Sequence, residues 1–311
     1  MSIVRTKELI ENFDLKVVAG ENGLQREIHS SEIHRPGIEV TGCFKFHPQD
    51  RLQLIGQTEM TYLEQLSITE QKEIFNKLCA TTTPCIIISR GMKVPKYMLT
   101  IANEKDVPLL ATKRKTTRVI SRLTNYLEIA FSPSTAIHGV FVEIYGIGVL
   151  ITGQSGVGKS EVALELIKRG HRLVADDSVE IRQKDGEELI GSSPPLIKNL
   201  LEIRGIGIID IMSLFGAGAV LSEKKISLII HLELWEDAKQ YDRLGMDDEM
   251  HKIMDVNIPR STVPIRPGRN LAIIVEVAAM NFRLKKMGMN AAEAFSDRLS
   301  HTIVERTDLV D

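Results

Sequence analysis

The sequence predicts a fold of the α/β class with two domains. In residues 1–131, patterns typical of helices alternate with patterns typical of short buried strands, which favours a partly parallel sheet. Residues 132–135 interrupt this alternation as a turn-rich linker. In residues 149–169, an apolar strand pattern is followed by a glycine-rich loop and a helix. We therefore expect an N-terminal α/β domain in residues 1–131 and a phosphate-binding domain in residues 132–311.

Apolar periodicity assigns the elements of the first domain. We expect helices at residues 6–13, 67–80, 96–103 and 116–131, and strands at residues 15–18, 85–89 and 107–111. Ser67 and Glu70 are three residues apart, which is the signature of a capping box, so the second helix should begin there.

Residues 139–153 predict a β-hairpin. Apolar side chains alternate from Val140 to Ile144, and residues 146–148 form a tight turn before the apolar run 149–152. A typical phosphate-binding loop protein has a parallel strand and a crossover helix at this position. The sequence therefore predicts unusual antiparallel pairing beside the phosphate site.

The loop after this strand matches every fixed position of the pattern G-x-x-x-x-G-K-[ST]. Its residues are Gly153, Gln154, Ser155, Gly156, Val157, Gly158, Lys159 and Ser160. Residues 161–169 then continue as a helix, with Gly170 where a C-terminal cap belongs. Backbone N–H groups and a helix N-terminus attract anions, Lys159 would reach the β- and γ-phosphates, and the Ser160 hydroxyl would hold Mg²⁺.

The rest of the second domain continues the α/β pattern. We expect strands at residues 172–174, 179–182 and 226–232, and helices at residues 271–287 and 291–305. Gly288 would end the first of these helices, and Asn290 would cap the second.

Composition excludes several classes of protein. The 311 residues carry a net charge of −2, so nothing indicates a nucleic-acid partner. The best apolar run, near residues 271–280, is short and contains Glu276, and early charges argue against a signal peptide. Three cysteines without metal-site spacing fit a reducing compartment. We therefore expect a cytoplasmic protein with no membrane partner.

The doublet Asp176-Asp177 is the first candidate for chemistry. It follows a short apolar run, and a carboxylate at the end of a strand beside a phosphate-binding loop usually serves Mg²⁺ or polarises the nucleophile. Two consecutive aspartates also occur in solvated turns. The pattern predicts a role for at least one of the pair and does not choose between them.

Residues 201–210 form a second dense stretch. Gly205 and Gly207 interrupt a strand-like pattern, which indicates either close approach of a ligand or a β-bulge. Glu202 is a plausible Mg²⁺ ligand because hard cations prefer carboxylate oxygens. A surface loop with a charged rim fits the spacing equally well.

Three further features are weaker on their own. A stiff loop with two arginines, whose forked side chains match phosphate oxygens, consists of Pro264, Ile265, Arg266, Pro267, Gly268 and Arg269. Arg243 carries little signal by itself, and a lone histidine such as His138 is more often structural than catalytic.

Taken together, these features resemble one family in order and spacing. The hairpin before the loop, the aspartate doublet, the stretch 202–210 and the loop 264–269 are similar to those of the bacterial HPr kinase/phosphorylase family. The resemblance runs over the whole chain and is most specific in residues 138–270.

The resemblance implies a bifunctional enzyme. It would use ATP or pyrophosphate to phosphorylate a regulatory serine on HPr, the phosphocarrier of the sugar phosphotransferase system. It would also remove that phosphate by phosphorolysis, in which inorganic phosphate is the nucleophile and pyrophosphate the product. Carbon catabolite repression is the process served. The implied fold is an N-terminal α/β domain and a phosphate-loop kinase domain similar to phosphoenolpyruvate carboxykinase, assembled as a homohexamer.

The resemblance also implies roles for individual residues. Lys159 would clamp the phosphates, and Ser160 and Glu202 would coordinate Mg²⁺. Asp177 would accept the serine proton in one direction and return a proton in the other, with His138 and Arg243 completing the catalytic site. The loop 264–269 would serve dephosphorylation.

Two other functions are weighed against this one. A small-molecule kinase would share the phosphate-binding loop but would not be expected to match both the stretch 202–210 and the loop 264–269. A nucleotide-dependent switch such as a GTPase would carry an Asn/Thr-Lys-x-Asp motif. The nearest candidate, Asn76-Lys77-Leu78-Cys79, lacks the aspartate and precedes the loop.

Overall fold

The structure is a computed structural model that describes residues 3–236, 249–296 and 298–299. The chain divides into two compact units, Met1–Ser132 and Pro133–Asp311. The predicted linker at residues 132–135 is too long, because Ser134 and Thr135 pair with a neighbouring strand. In the described part of the chain, no helix has the length and apolar character needed to cross a membrane.

The first unit contains seven strands and five helices in its described residues. The strands are β1 (Val4–Arg5), β2 (Lys16–Ala19), β3 (Glu27–Ile28), β4 (Ile33–His34), β5 (Leu52–Ile55), β6 (Ile86–Ile88) and β7 (Leu109–Ala111). The helices are α1 (Thr6–Asn12), α2 (Gln57–Leu63), α3 (Ile68–Leu78), α4 (Lys96–Glu104) and α5 (Thr116–Phe131).

These elements form a three-layer α/β arrangement. The main sheet has the order β2-β7-β6-β5-β4, in which β4 to β7 are parallel and β2 is antiparallel. Ile86 and Ile88 pack with α3 and α4 on one face, whereas Ile87 packs with α1 and α5 on the other. This alternation follows from the two-residue period of a strand, and it explains why such buried strands are continuously apolar.

The predicted helices and strands of this unit are confirmed, with shifts of one or two residues at most ends. The capping box is present: Ser67 Oγ accepts from the Glu70 N–H, and Glu70 Oε2 accepts from the Ser67 N–H. Sequence patterns missed α2 and the strands β1 and β3 to β5. Most of these elements are too short to show a period.

The second unit is richer in strands. They are β8 (Ser134–His138), β9 (Val140–Ile144), β10 (Ile147–Gly153), β11 (Arg172–Ala175), β12 (Ser178–Lys184), β13 (Glu188–Ser192), β14 (Leu200–Ile203), β15 (Gly207–Asp210), β16 (Glu223–Lys225), β17 (Leu228–Leu234), β18 (Glu249–Ile253) and β19 (Val256–Ile265). The helices are α6 (Lys159–Lys168), α7 (Ile211–Phe215) and α8 (Leu271–Lys286). Residues 291–296 are also helical, and the rest of the predicted helix 291–305 lies largely outside the described residues.

A six-stranded mixed sheet carries the phosphate-binding loop. Its order is β11-β9-β10-β17-β19-β18. The predicted hairpin is confirmed, since β9 and β10 pair antiparallel, while β17 pairs with β10 in parallel on the other side. Val149 and Ile151 pack towards α6 and α8, whereas Leu150 packs with apolar residues of the second sheet, which has the order β16-β13-β12-β8.

Of the two alternatives for Gly205 and Gly207, the β-bulge is wrong. Strands β14 and β15 form a regular antiparallel hairpin, with Glu202 opposite Ile208 and Ile203 opposite Gly207. Gly205 lies in its turn with φ +84°, and Gly207 begins β15 directly after the turn with φ +99°. Glycine is favoured there because other residues adopt positive φ at a cost.

A candidate active site at the phosphate-binding loop

The phosphate-binding loop joins β10 to α6. Its three glycines have positive φ: +147° at Gly153, +82° at Gly156 and +95° at Gly158. A Cβ atom on Gly153 would lie 2.4 Å from the carbonyl oxygen of Leu232, so no larger residue fits there. Helix α6 begins directly after the loop, and the first N–H groups of a helix have no partner within it. These N–H groups and the helix dipole make the loop suitable for a phosphate group.

Lys159 is held over the loop. Its side chain is buried, and Nζ donates to the carbonyl oxygens of Gly153 and Gln154 at 3.1 Å each. An ammonium group has three N–H donors, so one donor remains for a phosphate oxygen. The positive charge is therefore already positioned next to the loop N–H groups.

Asp176 connects the loop to the β14–β15 hairpin. Its Oδ1 accepts from the Ser160 hydroxyl and its Oδ2 accepts from the Glu202 N–H, both at 2.9 Å. The residue is only 4 % exposed. Burial raises the pKa of the Asp176 carboxyl, and the two hydrogen bonds act in the opposite direction. Asp176 thus orients the two residues that the sequence suggested as metal ligands.

Asp177 has a different environment from its neighbour. It lies between β11 and β12, and its φ is +64°, in the left-handed region. Asp177 Oδ1 lies 3.1 Å from His138 Nδ1, and both side chains are more than half exposed. The pairing of β8 with β12 and a hydrogen bond from Gly139 N–H to the Asp177 carbonyl hold this pair together. An exposed carboxylate beside an imidazole is accessible to a macromolecular substrate.

A cavity of about 130 Å³ brings most of these groups together. Of the residues suggested by the sequence, its lining includes Ser155, Gly156, Gly158, His138, Lys159, Ser160, Asp177 and Glu202. Asp176 and Arg204 also line it. The cavity therefore contains a cation, hydroxyl groups and carboxylates within one small volume beside a helix N-terminus.

Arg204 extends from the β14–β15 turn to the phosphate-binding loop. Its Nη2 donates to Ser155 Oγ at 3.2 Å, and a Cβ atom on Gly156 would lie 2.6 Å from its Nη1. Sequence analysis did not select Arg204. Had the stretch 201–210 been interpreted as a hairpin, its turn would have singled this residue out, since a side chain at a hairpin turn extends beyond the sheet.

Ser160 and Glu202 are chemically suitable for a divalent cation such as Mg²⁺. Both offer oxygen atoms to the same cavity, and hard cations take oxygen ligands. The Ser160 proton is directed at Asp176, which leaves the hydroxyl lone pairs available to a cation. The donor set therefore fits the metal that the sequence suggested.

The loop 264–269 lies at the same edge of the sheet but outside this cavity. Its first two residues, Pro264 and Ile265, still belong to β19 and pair with β17, so the predicted loop begins too early. Strand β19 is parallel to β17 and hence to β10. Arg269 Nη1 donates to the Pro264 carbonyl at 3.1 Å, and the Arg266 guanidinium lies 3.4 Å from the ring centre of Trp235. Gly268 has φ +85°. The last expected residue, Arg243, lies outside the described residues.

Two protein-family models together match most of the chain. The family model described as HPr Serine kinase N terminus matches residues 4–127. The family model described as HPr Serine kinase C-terminal domain matches residues 129–299.

The chain is also similar to curated proteins over nearly its full length. "HPr kinase/phosphorylase 1" of Oceanobacillus iheyensis is 62 % identical over 99 % of both chains. The HPr kinase/phosphorylase of Geobacillus thermodenitrificans is 59 % identical over 98 % of this chain and 99 % of that protein. A solved structure of the Hpr(Ser) kinase/phosphatase from Coxiella burnetii is 40 % identical, covers 52 % of this chain and 98 % of its own, and has a TM-score of 0.48.

Proposed function

The chain belongs to the HPr serine kinase family, and on that premise we propose that it phosphorylates a regulatory serine of HPr and also reverses this modification. ATP or pyrophosphate is the phosphoryl donor in the forward direction. In the reverse direction, inorganic phosphate takes the phosphoryl group and pyrophosphate is released. Through HPr the protein takes part in carbon catabolite repression. The observation that carries the proposal is the single cavity shared by the phosphate-binding loop and the His138–Asp177 pair.

Donor phosphates bind at the start of α6. The N–H groups of the first turn and the remaining donor of Lys159 neutralise the β- and γ-phosphate charge. Arg204 is close enough to the loop to add a second positive charge. Because phosphoryl transfer depends mainly on positioning and charge neutralisation, these groups account for most of the catalysis. We assign Arg243 a similar charge-stabilising role on the family resemblance alone.

Ser160 and Glu202 would hold Mg²⁺, and Asp176 positions both residues through its two hydrogen bonds. When bound, the metal would add positive charge beside the donor phosphates.

Asp177 exchanges the proton. In phosphorylation, its carboxylate accepts the proton of the HPr serine hydroxyl while the serine oxygen forms a bond to the γ-phosphorus and the bond to ADP breaks. In phosphorolysis, an oxygen of hydrogen phosphate attacks the phosphorus of the seryl phosphate and forms the new P–O–P bond while the bond to the serine oxygen breaks. Asp177 takes the proton of the hydrogen phosphate and gives it to the serine oxygen. Phosphorolysis is the reverse of pyrophosphate-dependent phosphorylation, so microscopic reversibility requires the same proton-exchanging group in those two reactions. His138, 3.1 Å from Asp177, orients the carboxylate.

The surroundings of the site suit a protein substrate and a homohexamer. Ile206 and Ile208 of the β14–β15 hairpin and Leu214 of α7 are each more than 60 % exposed. Large apolar side chains exposed close together in sequence are candidates for an interaction site, and we assign them to contacts between subunits. The three cysteines are free thiols, which is consistent with our proposal of a cytoplasmic location.

One experiment tests the proposal directly. The protein is incubated with purified HPr, ATP and Mg²⁺, and HPr is followed by intact-protein mass spectrometry. We expect a single phosphate on HPr, and its loss with formation of pyrophosphate after phosphate is added. A Lys159→Ala variant is the control and should show neither reaction. Turnover of a small metabolite in place of HPr would contradict the proposal and favour a small-molecule kinase.

A further inference from the structure

The first unit contains a cavity of about 580 Å³ at the carboxyl edge of its parallel sheet. The segments that follow four parallel strands contribute to it: Arg35 follows β4, Gln57 follows β5, Arg90 follows β6 and Thr116 follows β7. In open α/β sheets this edge is where ligands bind. The volume lies in the range typical of small-molecule sites, about 300–1,000 Å³.

The chemistry of this cavity, which we call the Arg35/Arg90 cavity, is that of an anion site. Two of its nine described lining residues are arginines, and none of the nine is acidic. The others are threonine, glutamine and tyrosine residues, all of which donate hydrogen bonds. A lining of donors with positive charge favours a ligand that is rich in acceptors.

Arg90 supplies the uncompensated charge. Among the described residues, its guanidinium makes no hydrogen bond or ion pair. Its φ is +63°, which is uncommon for a residue with a side chain and costs of the order of 1 kcal/mol or more. Two backbone hydrogen bonds hold this conformation, from Arg90 N–H to the Arg114 carbonyl and from Gly91 N–H to the Thr112 carbonyl, both 2.8 Å. The backbone is thus constrained to present an exposed arginine at the cavity.

Arg35 is fixed by an ion pair with a buried carboxylate. Its Nη2 lies 2.6 Å from Glu59 Oε1, and Glu59 is only 4 % exposed. Glu59 Oε2 also accepts from the Gly56 N–H at 2.9 Å. This pairing neutralises Arg35 and fixes its plane, while the remaining N–H groups of the guanidinium are available to a ligand.

Helix α5 adds a third positive element. Its 16 residues begin at Thr116 and Thr117, which both line the cavity. Thr116 is 6 % exposed and its hydroxyl lies 2.8 Å from the Ser89 hydroxyl, so the start of the helix is anchored to the end of β6. The first N–H groups of α5 therefore have a fixed position next to a cavity that also contains Arg90.

We propose that the Arg35/Arg90 cavity binds a small phosphomonoester. The phosphate group lies between Arg90 and the start of α5, which together provide charge and N–H donors. The organic part occupies the remaining volume beside Tyr62, Gln57 and Gln65. This site is separate in sequence from the phosphate-binding loop and is made only of residues from the first unit.

Hydrogen exchange of the full-length protein tests the proposal because it reports on each segment separately. Ribose 5-phosphate is titrated to 20 mM at constant ionic strength, with ribose as the uncharged control. We expect saturable protection from exchange in peptides covering residues 88–92 and 112–120. The midpoint, which is the ligand concentration that gives half of the full protection, should be at least ten-fold lower for ribose 5-phosphate than for ribose. Arg90→Ala should raise that midpoint at least ten-fold.

Two further variants keep the result interpretable. Arg90→Asn keeps the positive φ more easily and removes the charge, so it should behave like Arg90→Ala even if alanine disturbs the fold. Arg118→Ala removes an exposed arginine of α5 that does not line the cavity and should change the midpoint less than two-fold. Three results would each overturn the proposal. They are protection confined to residues 153–160, no saturable protection up to 20 mM, and equal midpoints in the wild type and both Arg90 variants.

Discussion

The buried carboxylate of Asp176 accepts a hydrogen bond of 2.9 Å from the hydroxyl of Ser160, the last residue of the phosphate-binding motif. Its second oxygen accepts from the Glu202 N–H at the same distance. One carboxylate thus sets the distance between two proposed metal ligands that are far apart in sequence. Groups that hydrogen-bond to metal-binding residues usually change the metal affinity when they are replaced.

Asp176→Asn should weaken Mg²⁺ binding without removing it. The amide oxygen can still accept from the Glu202 N–H, but the amide N–H would then donate to the Ser160 hydroxyl and occupy a lone pair that would otherwise be available to the cation. Both hydrogen bonds would also lose the strength that the carboxylate charge gives them. We expect a loss of about 1–3 kcal/mol in the free energy of unfolding. The Mg²⁺ concentration that gives half-maximal kinase activity should rise roughly ten-fold. Urea unfolding and Mg²⁺ titration of the kinase reaction measure the two effects. Asp185→Asn, in the exposed β12–β13 turn, should leave both unchanged.

Asp177→Asn should remove proton transfer while keeping the donor site. The side chain keeps its shape but is no longer a base. We expect both phosphorylation and phosphorolysis to slow by about 10²–10⁴, which corresponds to about 3–5 kcal/mol of barrier. ATP affinity, measured by calorimetry, should remain within about two-fold of the wild type. If only Asp176→Asn slowed the chemistry to this extent, Asp177 would be the wrong member of the doublet.

Glu202→Ala should abolish the response to metal. Of the two proposed metal ligands only Ser160 would remain, and the donor phosphates would keep uncompensated charge. We expect EDTA to stop both reactions in the wild type and Glu202→Ala to stop them at ordinary Mg²⁺ concentrations, with an unchanged melting temperature. Glu180→Ala, which removes an exposed carboxylate from β12, is the matched control. Near-normal turnover of Glu202→Ala would remove Glu202 from the metal site.

The loop 264–269 should matter more for phosphorolysis than for phosphorylation. In phosphorolysis a free phosphate must approach another phosphate, and the two repel each other, so an additional cation is needed. Arg269→Ala removes that charge and also the hydrogen bond to the Pro264 carbonyl, while Gly268→Ala strains a residue with φ +85°. We expect both variants to lose phosphorolysis rate more than kinase rate.

Parallel rates in both directions, with a thermal melt, test this role of the loop. Arg269→Lys is the matched variant, since it keeps the charge and loses the forked geometry. A loop that only braces the fold would lower both rates and the melting temperature together, and that result would count against the assignment.

Glu276 should stabilise the second unit in a pH-dependent way. Its carboxylate accepts from His171 Nε2 and the Tyr145 hydroxyl, both at 3.0 Å, and from Arg169 Nε at 2.9 Å, which ties α8 to the β9–β10 turn and to the end of α6. Burial raises the pKa of Glu276, but these hydrogen bonds outweigh it and hold the pKa below its usual value of 4.5.

A lowered carboxyl pKa stabilises the folded state above the unfolded pKa, and this stability is lost as the pH falls through the folded value. We therefore expect Glu276→Ala to reduce the free energy of unfolding by about 3 kcal/mol at pH 7. The difference from the wild type should shrink below pH 4.5. Denaturant unfolding at several pH values measures it, with the exposed Glu293→Ala as control. A difference that does not depend on pH would show that packing, and not the charge, is responsible.

Local features of the sequence were enough to predict much of the fold. Helix α5 and the β9–β10 hairpin follow from apolar period and turn residues, and the capping box at Ser67 follows from two residues three apart. Such signals lie within a few neighbouring residues, so they can be detected without knowing the fold. The β-bulge considered for Gly205 and Gly207 is wrong, because glycines at this spacing also serve a hairpin turn.

The spatial relations within the site required the folded chain. Asp176 and Asp177 are identical side chains in adjacent positions, yet one is buried between Ser160 and Glu202 and the other is exposed beside His138. Strand order and the positive φ of Asp177 create this difference, and neither is visible in the residue types.

The motif of residues 153–160 is encoded in consecutive residues, because glycine conformations and a following helix create a phosphate site locally. Other relations depend on which strands pair. They include the position of Arg204 over that loop and the position of residues 264–269, which lie at the end of β19, two strands from β10. Pairing is decided by burial of both sheet faces across the whole unit, so these relations emerge only when the complete core has formed.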